Sequence, residues 1–257
     1  MSQISKTFKA LKKEKRCAFI PYFVLGFPDM KTSIDLIAKA SPYYDILELG
    51  IPFSDPIADG AVIQEAAFKA LQNNYSADDF FKATKEIKDK TGKPVIYMLY
   101  YNLIFGYGVD LFFKKAKEAG VSGFIVPDML PESDDEFMKA AKTHGIDTIF
   151  LATPVTKQKR VKKITSKTSG FLYLTSVTGI TGQRESVNSE LKSFAEEIKK
   201  ETDLPVCVGF GISSKEHVEN IASFADGVIV GSAIVNKIIE NDDPLSFIKK
   251  LYSGVKK

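Results

Sequence analysis

Histidine and cysteine are nearly absent: the 257 residues include two of each. His144 and His217 sit in polar, helix-like segments, so a histidine-based zinc site is not expected. Cys17 and Cys207 are far apart and form no CxxC pair, which leaves neither a disulfide framework nor a thiolate metal site. Cys207 lies in the apolar run PVCVGFG, where a buried structural thiol is expected. Missing too is any uncharged apolar run approaching about 18 residues, which excludes a membrane-spanning helix. The opening MSQISKTFKALKKEKR lacks the apolar stretch of a secretory signal. Nor is there a strong charge of one sign. The 35 basic and 32 acidic side chains leave +3, too small an excess to argue for nucleic acid or an anionic membrane. The densest basic runs, KALKKEKR (9–16) and KQKRVKKITSK (157–167), carry no aromatic residues on which bases would stack. The second spaces Val161 and Ile164 at helical intervals, as a solvated helix face does. These absences predict a soluble, cytoplasmic protein without a metal.

What is present is alternation. Short runs rich in β-branched and aromatic residues recur, each followed by a charged segment of helical period. The strand candidates are AFIPYFVLG (18–26), DILELG (45–50), PVIYMLY (94–100), GFIVPD (123–128), DTIFLAT (147–153), GFLYLTS (170–176), LPVCVGFG (204–211) and DGVIVGS (226–232). Between them lie amphipathic stretches such as DLFFKKAKEAG and SKEHVENIASFA, and Gly120 and Gly145 stand where helix C-caps belong. An additional helix before the first strand is predicted from Ile4, Phe8 and Leu11. Near-continuous apolar strands alternating with helices imply a parallel sheet with its outer face covered. Eight such units in a chain of this length favour an α/β fold closed into a (β/α)8 TIM barrel, one domain over residues 1–257. The rival, an open Rossmann-like sheet, wants a GxGxxG after the first strand, and none is there.

In a barrel, catalytic groups sit at the C-terminal ends of strands and on the loops that follow. That rule gives meaning to ILELGIPFSDPIADG (46–60), where a short apolar strand carries Glu48 and runs into a turn with Asp55 and Asp59. Ile46 and Glu48 share one face of the strand, Leu47 and Leu49 the other. If the leucines pack under helices, Glu48 points into the barrel mouth, where low dielectric raises a carboxyl pKa and suits it to move protons near neutrality. Asp59 reaches over the same mouth from the loop, and two acids in different environments divide the roles of proton carrier and fixed charge. The competing structural readings are an ion-pair partner for Glu48 and a helix cap at Ala61 for Asp59.

Two glycine turns near the C-terminus, VGFGISS (208–214) and VGSAI (230–234), each join a strand to a helix and present backbone N–H groups to an anion. Phosphate is often held after strands 7 and 8 of such barrels, so a phosphorylated substrate is expected. The loop SVTGITGQRESVNSE (176–190) is long and polar; Gly179 and Gly182 can serve as hinges for a lid, and the competing reading is a disordered surface loop. Tyr22, Met98, Tyr100, Ile125 and Tyr173 stand at strand ends where they line an apolar pocket or simply pack. Residue chemistry alone thus gives acid–base catalysis on a phosphorylated, partly apolar substrate, with isomerisation, epimerisation and carbon–carbon cleavage all open.

At LELGIPFSDPIADG the sequence closely resembles the tryptophan synthase α-chain family, and PYFVLGFPD, IQEA, MLYYN, TGITG, VGFGIS and VGSAIV match family counterparts in order over essentially the whole chain. The resemblance implies retro-aldol cleavage of indole-3-glycerol phosphate to indole and glyceraldehyde 3-phosphate. It assigns proton transfer to Glu48 and stabilisation of the indole ring to Asp59. It places phosphate on Gly182, Gly211, Gly231 and Ser232, and substrate against Tyr22, Met98, Tyr100, Ile125, Tyr173 and Phe210. Thr181 corresponds to a lid residue that touches a catalytic acid on closure. Asp55 falls where the family meets a β chain, which carries pyridoxal phosphate and consumes the indole in an allosterically coupled α2β2 heterotetramer. The α chain itself holds no cofactor. A free-standing lyase that releases indole is the alternative. Departures from the family pattern are Ala61 in place of proline after ADG, Val177 where some members have arginine, and Pro127 in place of a smaller residue.

Overall fold

The structure is a computed structural model and describes residues 1–132, 135–175, 184–209 and 211–255, with the side chains of 184–188 outside that description. Its strands are β1 (Ala18–Val24), β2 (Leu47–Gly50), β3 (Val95–Met98), β4 (Val121–Ile125), β5 (Asp147–Ile149), β6 (Leu151–Ala152), β7 (Leu172–Leu174), β8 (Val206–Val208) and β9 (Gly227–Val230). All the pairings are parallel, in the order β5-β4-β3-β2-β1-β9-β8-β7-β6. The two ends of that series, β5 and β6, are one run of chain interrupted at Phe150, so the sheet curls into a barrel of eight stations. Each expected strand run is occupied, the fifth as this broken pair.

The helices are α1 (Gln3–Lys13), α2 (Met30–Ala40), α3 (Ala61–Leu71), α4 (Ala77–Thr91), α5 (Tyr101–Tyr107), α6 (Val109–Glu118), α7 (Asp135–His144), α8 (Gln158–Lys167), α9 (Arg184–Glu201), α10 (Lys215–Ala222), α11 (Ser232–Ile239) and α12 (Pro244–Tyr252). Their boundaries follow local chemistry. Ser2 caps α1 by accepting the Ser5 N–H, and Ser76 and Asp79 form a reciprocal capping box on α4. Gly120 and Gly145 follow α6 and α7 at φ 91° and 61°, a conformation that β-carbon-bearing residues resist. Val161 and Ile164 are the buried face of the lysine-rich α8, as their spacing predicts.

Alternation along the strands separates two apolar layers. Ile20, Ile46, Ile96 and Ile229 point into the barrel, where Ile4, Phe8 and Leu11 of α1 close its N-terminal end. The Phe8 ring meets Phe171 edge-on at 5.8 Å. Leu47, Leu49, Tyr97 and Phe124 face outward into the layer between sheet and helices. Each fully buried aliphatic or aromatic side chain contributes about 1.5–3 kcal/mol, and the plug therefore ties an otherwise peripheral helix to the barrel. Cys207 is fully buried in the inner layer, the structural thiol expected of it. Below β2, Arg16 grips Asp45 through two nitrogens at 2.8 and 2.7 Å, and Asp45 also accepts the Phe19 N–H at 2.9 Å. This buried knot fixes where β2 starts against β1, and so where Glu48 emerges.

Candidate active site

Glu48 lies on β2 two residues after the inward-facing Ile46 and so one step nearer the C-terminal mouth. Parallel register sets it beside Tyr22 of β1 and Ile96 of β3. Only 1% of its surface is exposed, and its Oε2 is buried without a hydrogen-bond partner. Among the described residues it has no ion pair, which removes the salt-bridge reading. Burial, and then the nearby charge of Asp59, push the Glu48 carboxyl up to about 8.

Asp59 arrives from the loop after β2 and does not cap α3. The N-cap of that helix is Gly60, with no side-chain bond to it, and Ala61 begins the first turn. The Asp59 Oδ1 is instead buried and unpartnered. Burial pushes this carboxyl up to about 6, while the nearby Tyr100 hydroxyl pulls the other way. The loop is built to hold it there. Within the loop, the Asp59 N–H bonds to the Pro56 carbonyl at 3.0 Å and the Ile57 N–H to the Asp55 carbonyl at 2.9 Å. Gln64 Nε2 reaches back from α3 to the carbonyls of Asp59, at 2.8 Å, and Pro56, at 3.3 Å. The Tyr100 hydroxyl accepts the Ala58 N–H at 2.9 Å, and Phe53 stacks on the Tyr100 ring at 5.1 Å and 23°. Asp55 is exposed on the loop, where its carboxylate accepts the Ser54 hydroxyl, and Ile57 beside it is 82% exposed.

Tyr22 and Tyr173 flank the acids. The Tyr22 hydroxyl lies over Gly50 and the Tyr173 hydroxyl over Gly209, each in space that a β-carbon on the glycine would need. Burial first, and then the nearby carboxyls, raise both phenols above their ordinary range. Tyr22, Met98, Tyr100 and Asp59 border a notch of about 10 Å³, with Gly50 and Phe53. Ile125 is fully buried, and with Met98 and Tyr173 it belongs to the inner layer beneath. A larger groove of about 780 Å³ lies at the opposite end of the barrel, between α1 and the starts of β4 and β5. It contains neither acid and has no part in the chemistry that follows.

The two glycine turns differ. Gly231 opens α11 directly, no side chain caps that helix, and Ser232 is its exposed first residue, so its N–H groups face the mouth as an anion site requires. After Gly211, which is exposed at φ 63°, the next helix waits until Lys215, and Ser214 already caps it by accepting the His217 N–H. The expected second open helix end is therefore closed by its own sequence, and Gly211 offers only a loop N–H. Thr181, Gly182 and Phe210, with Val177 and Gly179, lie outside the described residues.

Sequence reasoning passed over Gly50, Phe53, Gln64 and Asp128. Asp128 receives the Tyr101 N–H on both oxygens, at 3.0 and 3.2 Å, and so anchors the end of β3 from the end of β4. Gln64 lies inside the IQEA motif, but nothing in its spacing reveals a bond back to a loop. No group of three or more His, Cys, Asp or Glu side chains able to hold a metal occurs among the described residues.

Comparison with known proteins adds to this geometry. The family model described as tryptophan synthase alpha chain matches residues 8–256. The chain is 46% identical to the tryptophan synthase alpha chain of Methanocaldococcus jannaschii over 239 residues, 93% of this chain and 85% of that one. Among solved structures it is similar to tryptophan synthase from M. tuberculosis, with a TM-score of 0.92 and 31% identity, covering 100% of this chain and 99% of that chain. It is also similar to tryptophan synthase subunit alpha from Legionella pneumophila, with a TM-score of 0.91 and 36% identity over 99% and 98% of the two chains.

Proposed function

The chain belongs to the tryptophan synthase alpha chain family, and on that footing we propose that Glu48 carries the protons and Asp59 the fixed charge in its lyase reaction. The reaction is cleavage of indole-3-glycerol phosphate to indole and glyceraldehyde 3-phosphate. The observation that carries the assignment is Glu48 itself, a fully buried carboxyl without an ion pair among the described residues, at a strand end facing the barrel mouth. A buried acid with no partner is costly to keep, and proton transfer gives it a use.

At neutral pH, Glu48 near 8 holds a proton and Asp59 near 6 is ionised. Glu48 gives its proton to indole C3, which turns the ring into a cationic indolenine. The Asp59 carboxylate accepts the ring N–H and offsets that charge. Glu48, now a carboxylate, takes the proton of the hydroxyl next to the breaking bond. The carbon–carbon electrons return to the ring, the carbonyl of the aldehyde forms, and Glu48 ends protonated as it began. The open end of α11 at Gly231 and Ser232 suits the substrate phosphate, with Gly211 on the loop after the neighbouring strand β8. Gly182 and Phe210 are assigned phosphate and substrate contact by resemblance, as is Thr181. Tyr22, Met98, Tyr100, Ile125 and Tyr173 surround the apolar part of the substrate.

Family membership implies a β-chain partner and favours the subunit reading over a free-standing lyase. The exposed Asp55 and Ile57 suit the loop after β2 to that contact, and an α2β2 assembly with pyridoxal phosphate in the β chain is the arrangement we propose. This chain needs no cofactor for the steps above. We read residues 1–257 as one barrel domain acting in the cytoplasm. No described helix is long and apolar enough to cross a membrane.

The test is indole release from indole-3-glycerol phosphate by the purified chain, alone and with a tryptophan synthase β chain. The chain contains no tryptophan, so it adds no indole fluorescence of its own. Slow release that rises sharply with the β chain is the expected result. Fast release indifferent to the β chain would make it a free-standing lyase, and no release in either case would overturn the reaction assigned.

A further inference from the structure

We propose that the groove at the N-terminal end of the barrel is a second binding site, and that it takes a small organic polyanion carrying hydroxyl groups, of the class of a sugar bisphosphate. The anionic groups of the ligand lie on lysines from four helices, and one of its hydroxyls lies on the Asp147 carboxyl.

With about 780 Å³ of room, the groove falls within the size range of small-molecule sites. The N-terminal face of a barrel ordinarily serves stability alone, and two features set this one apart. The first is Asp147, the opening residue of β5, which lines the groove at 9% exposure. Its Oδ2 is buried without a hydrogen-bond partner, and among the described residues it makes no ion pair. Burial lifts the carboxyl above its ordinary range. Gly170, at φ 77°, gives it space: a β-carbon there would stand 3.1 Å from Oδ2. A buried acid kept without a partner is costly, and the lyase reaction at the other end of the barrel gives this one no use. The second feature is charge. Lys6 of α1, Lys117 of α6, Lys142 of α7 and Lys167 of α8 line the same groove. Lys117 donates to the Gly145 carbonyl at 3.0 Å, while the other three are exposed and make no ion pair among the described residues. Four cations against one acid concentrate in this groove as much positive excess as the whole chain carries, +3. The wall is fixed in advance: the Thr148 N–H donates to Ser169 Oγ and its hydroxyl to the Lys167 carbonyl, both at 2.9 Å. Cations without anions beside an acid without a donor are completed by one ligand that brings both, through charge-assisted bonds.

The test is calorimetric titration of the full chain with fructose 1,6-bisphosphate and with pyrophosphate, which brings negative charge but no carbon-borne hydroxyl. The bisphosphate should bind, and the double variant Lys6→Glu/Lys142→Glu should weaken that binding by about 10-fold or more. Both lysines are exposed, so this variant should fold, and its cleavage kcat with a β chain should equal that of the wild type. The wild type should favour the bisphosphate over pyrophosphate by about 10-fold, and Asp147→Asn should erase the preference, because the amide accepts a hydroxyl far less strongly than a carboxylate does. No binding of the bisphosphate would overturn the proposal. Binding indifferent to the two lysines would overturn it as well and place the ligand at the phosphate site of the mouth. Binding that needs the lysines but shows the same preference with and without the Asp147 carboxylate would reduce the groove to an unselective anion patch and overturn the ligand class assigned.

Discussion

Replacing Glu48 by glutamine should abolish cleavage and, above neutral pH, stabilise the protein. Glu48 titrates near 4.5 when exposed and near 8 when folded. Between those values the folded state holds a proton that the unfolded chain has released, so wild-type stability falls as pH rises through that window. Each unit of pH inside it costs up to about 1.4 kcal/mol, or about 3 kcal/mol accumulated by pH 7 and about 4–5 kcal/mol above pH 8, taken as upper bounds. Glutamine keeps the shape and never ionises, so it escapes the loss. Roughly 2–4 °C of Tm accompanies each kcal/mol in a chain of this size, which predicts near-equal Tm at pH 5 and a lead of about 10 °C for the variant at pH 8.5. Thermal unfolding followed by circular dichroism from pH 5 to 9 measures both curves. Parallel curves for the two proteins would mean that Glu48 is not held protonated by burial, and the proton-carrier assignment would lose its physical basis.

The same pair of acids predicts a bell-shaped dependence of kcat on pH, rising near 6 as Asp59 ionises and falling near 8 as Glu48 does. A single sigmoid would contradict the division of roles. Asp59→Asn should lose at least about 100-fold in kcat with an unchanged far-ultraviolet spectrum and, above pH 6, a Tm no lower than that of the wild type, because it removes a buried charge from a loop position that caps no helix. Gly50→Ala should displace the Tyr22 ring from over the strand end and lower kcat/KM by about 10-fold or more. Kinetics of wild-type quality in that variant would show that the Tyr22 ring has room to move.

The barrel was legible because its signal is periodic and repeated. Inward Ile46 and outward Leu47 and Leu49 follow from a period of two, and the buried face of α8 follows from two apolar residues among lysines. Glu48 stood out as the single polar residue on an apolar face, and burial at 1% exposure is what that position implies. The reading of Asp59 was harder, since an acid two residues before a helix looks like a cap until the backbone gives that place to Gly60. What stayed hidden depends on contacts between residues distant in sequence. Tyr100 was visible as an aromatic at a strand end, but its bonds reach across 42 positions to Ala58. Asp128 acts across 27 positions on the Tyr101 N–H. The closed end of α10 turned on one serine at the N-cap, a local feature that the glycine pattern overshadowed.

The two ends of the barrel carry unequal burdens, and this gives the N-terminal helix its meaning. Among the described residues the C-terminal mouth keeps two buried carboxyl oxygens without hydrogen-bond partners, on Glu48 and Asp59, against one at the other end, on Asp147, and it holds two phenols against bare glycines. None of this is favourable to folding, and the Glu48 cost grows with pH over the range in which the enzyme must work. The closed N-terminal end supplies what offsets it. There Ile4, Phe8 and Leu11 enter the same inner layer that Glu48 interrupts, and the Arg16–Asp45 knot fixes β1 against β2. Truncating Phe8 to alanine should therefore cost about 3–5 kcal/mol without touching the chemistry. The Glu48→Gln change should recover much of that loss at pH 8.5 and little at pH 5, because only at the higher pH is the acid a burden. Recovery that did not depend on pH would mean that glutamine helps by packing, and the burden assigned to ionisation would have to be given up.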